Sequence, residues 1–335
     1  MRNREPRRLA TQGHRNVEED MSKIVVRELA YVRLRSPDLD LAEQFLTDFG
    51  LSRSARTANA LYMRGTDPAH HIHVTEQGEA KVVGFAFEVA SEADLERATL
   101  IEGASAVHDI DEPGGGRRVV LTEPNGYQIE LVHGIQRLPS VPVERTIYNT
   151  GEEPRRRAGV LQRLPASPTR IKRIGHCVLA STKWTETTRW FHENLGLVTT
   201  DSIYAAEPSN VIATFSRLDQ GAEYVDHHVF MCFKGDESGL NHVSFEMNDI
   251  DAVFADHHWL MGTGKYEHMW GPGRHYLGSQ VFDYWADPWG RIHEHWADSD
   301  RVNAAYESRQ CSAEEGFVSQ WGEHPPEKFL TRVSK

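Results

Sequence analysis

Apolar and polar residues alternate with period two along many short stretches and follow a helical period along a few longer ones, and the two kinds recur in a fixed order. Leu29 to Ser36 reads as a strand, and Leu39 to Phe49 has helical spacing that stops at Gly50. Short strands are expected near Leu61 to Arg64 and His70 to Val74. The order then restarts. Val82 to Val89 is strand-like, a helix opens at Ser91 with a Ser-x-x-Asp cap, and Arg117 to His133 reads as a hairpin turning at Glu123-Pro124-Asn125-Gly126. In the C-terminal half the succession returns: a strand from Ile174 to Ser181, a helix from Thr185 to Leu195 ended by Gly196, and strands near 198 to 204, 210 to 217 and 224 to 233. A fourth round follows, with a strand from Asn241 to Met247, a helix from Ile250 to Met261 and a hairpin from Gln280 to Trp296.

The two hairpins align, with Pro124 under Pro288, Gly126 under Gly290 and Glu130 under Glu294. The chain is therefore an internal repeat of four strand-helix-strand-strand-strand units in two pairs. A five-residue connection from Asp287 to Arg291 sets Tyr284 across from Glu294 on one face, with His293 and His295 on the other. A four-residue connection would put Asp283 there and set two carboxylates side by side, so the longer one is expected.

Composition limits the classes of function. Charged residues are 26% and hydrophobic ones 39% of 335, enough for a real core in about two domains. A formal charge of -12 argues against a nucleic-acid surface. No apolar run approaches the roughly 18 residues of a membrane span, and the N-terminal segment lacks the apolar stretch of a secretory signal. Cys177, Cys232 and Cys311 are too scattered for a disulfide framework or a thiolate metal site. The expectation is a reduced, cytoplasmic protein. Residues 1–26 read as a disordered lead, 27–134 as a first domain, 135–170 as a Pro-rich linker carrying Arg155-Arg156-Arg157, 171–298 as a second domain and 299–335 as a tail that docks.

The repeat selects among the 18 histidines. His176 and His242 stand at equivalent places in the first strands of the third and fourth units, and Glu294 stands in the last strand of the fourth. Quasi-equivalent strands lining one pocket would point two imidazoles and one carboxylate inward, the facial set of non-haem Fe(II) oxygenases. His228 stands in the third unit as Glu294 does in the fourth, with His227 as the competing choice. In the first domain Tyr31, Gly84 and Glu130 take the three places, a poor set for a transition metal. That domain therefore reads as a non-catalytic copy.

The run Gly273-Arg274-His275, then Tyr284, Asp287-Pro288, Gly290 and Glu294, resembles the signature of the type I extradiol ring-cleaving dioxygenases of the vicinal-oxygen-chelate superfamily. It departs at one position, because the residue before the signature tyrosine is usually apolar and here is Asp283. The resemblance implies an α+β fold in which each domain is a pair of βαβββ modules forming a half-open barrel. It implies Fe(II), or less often Mn(II), held by His176, His242 and Glu294. His228 would be the acid-base histidine, with Tyr284 and His275 hydrogen-bonding the substrate oxygens. The implied activity is cleavage of a catecholic ring by dioxygen, next to the hydroxyl pair, in aromatic compound degradation, by an assembly of several copies of the chain. Two other readings stay open: a glyoxalase-like metal-dependent isomerase or lyase, and a metal-free binding or sequestering protein of the same fold.

Overall fold

The structure is a computed structural model and describes residues 23–144, 146–164 and 168–335. The lead expected over residues 1–26 lies outside the described residues up to residue 22, and its last residue, Val26, already begins the first strand.

Two mixed sheets carry the molecule. The first has eight strands, with Val26–Ser36 and Lys81–Val89 as its antiparallel centre. Each central strand pairs in parallel with the last strand of its own unit, Val26–Ser36 with His73–Gln77 and Lys81–Val89 with Gln128–His133. The second sheet repeats this plan. Ile171–Ser181 and Gly239–Met247 form its antiparallel centre and pair in parallel with Phe230–Lys234 and Ile292–Ala297. Two further strands are added at its edges, which gives ten. The expected four βαβββ modules in two domains are thus the observed architecture, the glyoxalase and extradiol dioxygenase fold.

Local chemistry accounts for the elements. Asp38 caps the helix Leu39–Asp48 by accepting from the backbone N–H groups of Asp40 and Leu41. Gly196 and Gly264 end the helices Trp184–Leu195 and Ile250–Thr263 in the left-handed conformation that glycine adopts without strain. The expected Ser91 cap differs: its hydroxyl donates to Asp94 at 2.6 Å, and Asp94 in turn accepts the backbone N–H of Val25 at 2.9 Å. Asp94 outcompetes the backbone for the hydroxyl because a carboxylate is the stronger acceptor.

Strand alternation decides which side chains meet. In Ile292–Ala297, His293 and His295 face away from Glu294 and pack against the first domain. His295 stacks on Phe49 at 3.7 Å between ring centroids, and its Nε2 donates to the Phe49 carbonyl at 2.8 Å. The His293 and His73 rings lie 5.5 Å apart, with Phe245 beside both. One continuous apolar core runs through both domains behind the sheets. The concave face of the second sheet is left for a cavity.

The tail docks on both edges of the second sheet. Arg309–Ser312 pairs with Val198–Tyr204 and Ser319–Trp321 with Glu267–His275, so residues between and beyond them strap across the open side. Part of the expected linker is also tied down, with the Leu138 and Val141 N–H groups donating to the Pro68 and Thr66 carbonyls.

Candidate metal centre and cavity

Register brings the candidates together. Ser244 pairs with His176 on one side and Glu294 on the other, and His242 shares its face two residues earlier. His176 Nε2 lies 2.9 Å and His242 Nε2 3.6 Å from Glu294 Oε2. One ligand atom from each of the three residues falls within 4.8 Å of the others. All three are buried, Glu294 completely. The last hairpin has the five-residue connection: Ala286 pairs with Ile292 and Tyr284 with Glu294. Asp287 holds the turn by accepting the N–H groups of Trp289 and Arg291, each at 2.9 Å.

These residues fit a metal ion. Both oxygens of Glu294 and Nε2 of His242 are buried with no hydrogen-bond partner, a costly state for a carboxylate unless a cation answers it. Burial opposes ionisation of Glu294, but the imidazoles of His176, His275 and His242 hold its carboxyl well below the usual range. Burial pushes His242 down to about 3, so its ring is neutral and carries a lone pair. A carboxylate and neutral imidazoles are a donor set for a transition metal with open positions.

The lone pair of His242 is aimed by the tail. Asn241 Nδ2 donates to the carbonyls of Phe329 and Arg332, each at 3.1 Å, so its Oδ1 is left to accept. It accepts from His242 Nδ1–H at 2.7 Å, which leaves Nε2 free on the Glu294 side.

A second chain ends on His228. Asp201 Oδ2 accepts from His227 Nε2–H at 3.0 Å, and on the other side of that ring Nδ1 accepts from His228 Nδ1–H at 3.1 Å. His228 Nε2 is then a base on the side of His176, whose ring centroid lies 4.1 Å from its own. The strand expected over 224 to 233 is broken here: Val225–Asp226 and Phe230–Lys234 are separate, and the His227 N–H donates to the Asp300 carbonyl. The break lets the adjacent histidines turn toward each other with rings at 89°, where a regular strand would point them apart. His228 lines the cavity and His227 does not. Burial holds His228 well below the ordinary imidazole range, so it stands in the cavity wall as a neutral base.

Tyr284 and His275 form a third arm. Tyr284 Oη lies 2.8 Å from His275 Nε2, which is 3.6 Å from Glu294 Oε1. Burial, then the Glu294 charge, raise the Tyr284 phenol well above its ordinary value, so it keeps its proton. His275 ends the strand Glu267–His275, an element the sequence reading did not include. The cavity over these groups has a volume of about 280 Å³, and Ile212, Phe215, Met231, Phe233, Leu277 and the tail residue Phe317 supply apolar walls.

The first domain shows what replaces the site. Glu130 accepts from Tyr31 Oη at 2.8 Å, Arg33 Nε at 2.7 Å, Arg118 at 2.8 Å and Gln128 Nε2 at 2.9 Å, so both its oxygens are satisfied by protein donors. A Cβ on Gly84 would fall 1.8 Å from the Gln128 carbonyl oxygen, which leaves no room for an imidazole. The register also equates His70-His71 with His227-His228, since Val32 pairs with His73 as Cys177 pairs with Phe230. The two Nδ1 atoms of the first pair lie 3.0 Å apart. That repeated His-His dipeptide was a signal in the sequence for the position of His228. Asp201, Asn241 and the tail residues carried none.

No family model matches the chain. Metapyrocatechase 2 of Cupriavidus necator is 27% identical over 309 residues, 91% of this chain and 92% of that protein. A manganese-dependent 2,3-dihydroxybiphenyl 1,2-dioxygenase of Geobacillus genomosp. 3 is 23% identical over 78% of this chain and 82% of its own. Among solved structures, homoprotocatechuate 2,3-dioxygenase of Brevibacterium fuscum with 3,4-dihydroxyphenylacetate matches at TM-score 0.75 and 19% identity, over 93% of this chain and 94% of that one. The Mn(II)-bound glyoxalase of Novosphingobium aromaticivorans matches at 0.74 and 22%, over 91% and 94%.

Proposed function

We propose that this chain, a relative of the extradiol dioxygenases with the vicinal-oxygen-chelate fold, cleaves a catechol with dioxygen next to its hydroxyl pair, using His176, His242 and Glu294 to hold the metal. The observation that carries the reading is the buried, unpartnered Glu294 carboxylate between two imidazoles, with a neutral base and a phenol at its sides. Fe(II), with Mn(II) as the alternative, would supply open coordination positions for catechol and dioxygen and the redox capacity to couple them. His228 Nε2 is the acceptor for one catechol proton and returns it to the oxygen-derived product. Tyr284 Oη accepts from the second catechol hydroxyl while its own O–H donates to His275 Nε2, so that the second proton is relayed through the phenol to the imidazole behind it. The first domain, with Glu130 saturated by arginines, is a structural copy.

The walls bear on the substrate. Among the described residues lining the cavity the only ordinary cation is Lys234, which is exposed, so the pocket suits a catechol whose substituent is apolar and uncharged. Anaerobic loading with Fe(II), addition of a catechol and admission of air should give a yellow ring-opened product. The structural likeness to a glyoxalase keeps an isomerase reading in view. Turnover of a hemithioacetal without oxygen uptake, and no yellow product, would establish that reading instead.

A further inference from the structure

Asp283 lies on the strand that carries Tyr284 but faces the other way, and its side chain is completely buried. Two imidazoles converge on its carboxylate. His268 Nε2 lies 2.8 Å from Oδ1, His257 Nδ1 lies 3.1 Å from Oδ1 and 3.2 Å from Oδ2, and Oδ2 also accepts from Trp285 Nε1 at 2.6 Å. The three residues come from three elements, the helix Ile250–Thr263 and the strands Glu267–His275 and Val281–Ala286. One ligand atom from each lies within 4.8 Å of the others, as in the centre described above. The histidine side chains keep 16% and 25% of their surface, so solvent reaches the open side of the group.

We propose that His257, His268 and Asp283 form a second metal site, taking one zinc-type divalent ion on the reverse face of the hairpin that carries Tyr284 and Glu294. Two nitrogens and one oxygen suit Zn(II), with water as the fourth ligand; Ca(II) and Mg(II) require mostly oxygen. Bonds of about 2.0 to 2.1 Å in a tetrahedron place ligand atoms roughly 3.3 Å apart. The present separations need only a small opening, which the partly exposed rings can supply. To bind the ion, each imidazole presents the nitrogen now facing Asp283 as a lone pair and carries its proton on the other nitrogen. The Trp285 bond keeps the carboxylate oriented in either state. The ion ties the helix to the back of both strands and raises stability by binding only the folded chain. This site does not rest on the reaction proposed above.

The test uses iron-loaded enzyme, titrated with Zn(II), desalted and analysed for both metals. Wild type should gain one zinc per chain with its iron retained, and X-ray absorption at the zinc edge should show two imidazoles. His268→Gln and His257→Gln, each on a partly exposed position, should keep iron and lose the zinc. Asp283→Asn should also lose it. Absence of extra zinc in wild type, zinc gained only as iron is lost, or zinc retained by the two histidine variants would each overturn the site and leave a hydrogen-bonded cluster in its place.

Discussion

Asp201 never touches the cavity, yet it decides which nitrogen of His228 is basic. Its Oδ1 accepts from Tyr306 Oη at 3.1 Å and the Arg309 N–H at 3.3 Å, so an asparagine there would place its oxygen on those donors and its NH2 against His227. The chain of donors would then run backwards and put a proton on His228 Nε2. Asp201→Asn should keep iron and a near-normal KM while kcat falls by roughly 10²- to 10⁴-fold, as does His228→Phe. Iron assay beside steady-state kinetics checks this, and a normal kcat in Asp201→Asn would show that His228 is oriented by something else. Asn241→Leu acts on the metal instead: with the His242 tautomer freed, iron affinity should fall about 10- to 100-fold, read by competition with a chelator. His176, His242 and Glu294 were legible because the repeat places them. Asp201 and Asn241 were not, because each works through contacts that only the folded chain creates.

At the scale of elements, the hairpin was legible because side-chain period and turn chemistry agree on a single register. Pairing Tyr284 with Glu294 also keeps Asp283 off the site face. The break at His227 to Val229 was hidden, since the surrounding residues are as strand-like as their neighbours and the interruption comes from the bond to Asp300. The tail strands were hidden for a related reason: their partners are sheet edges distant in sequence. Phe329 is where the tail meets the site, its ring centroid 4.6 Å from that of Tyr284 and 5.9 Å from that of His242. Phe329→Ala should loosen this docking, raising KM for catechol more than it lowers kcat, with faster hydrogen exchange in the helix Glu327–Thr331. An unchanged KM with unchanged exchange would mean that the tail is held without Phe329.

Across the whole molecule, the repeat sets equivalent glutamates in opposite surroundings, Glu130 among protein donors and Glu294 without a hydrogen-bond partner. Arg33 and Arg118 saturate Glu130 but also pair with Glu112, and Arg33 with Glu76, so Glu130→Ala removes one carboxylate of a network and should destabilise the fold by about 1 to 3 kcal/mol while leaving iron content unchanged. Between the domains lies a layer of histidines that the repeat could not reveal, because it is made by docking. Burial, reinforced for His73 by His293 and Arg291, holds His73 well below the ordinary imidazole range, and burial pushes His293 and His295 down to about 4. In the unfolded chain these rings protonate near 6.5, so between about pH 6.5 and 4 the unfolded state binds more protons and stability falls as the pH is lowered. Their stabilisation is complete above that window and lost through it. For His293 and His295 the shift is worth about 3 kcal/mol each, a large part of a typical 5 to 15 kcal/mol. Urea unfolding of metal-free enzyme should therefore show midpoints dropping steeply from pH 7 to 4.5, and His73→Phe with His293→Phe should flatten the slope. A slope that is unaltered in this double variant would take the acid sensitivity away from the His73–His293 pair.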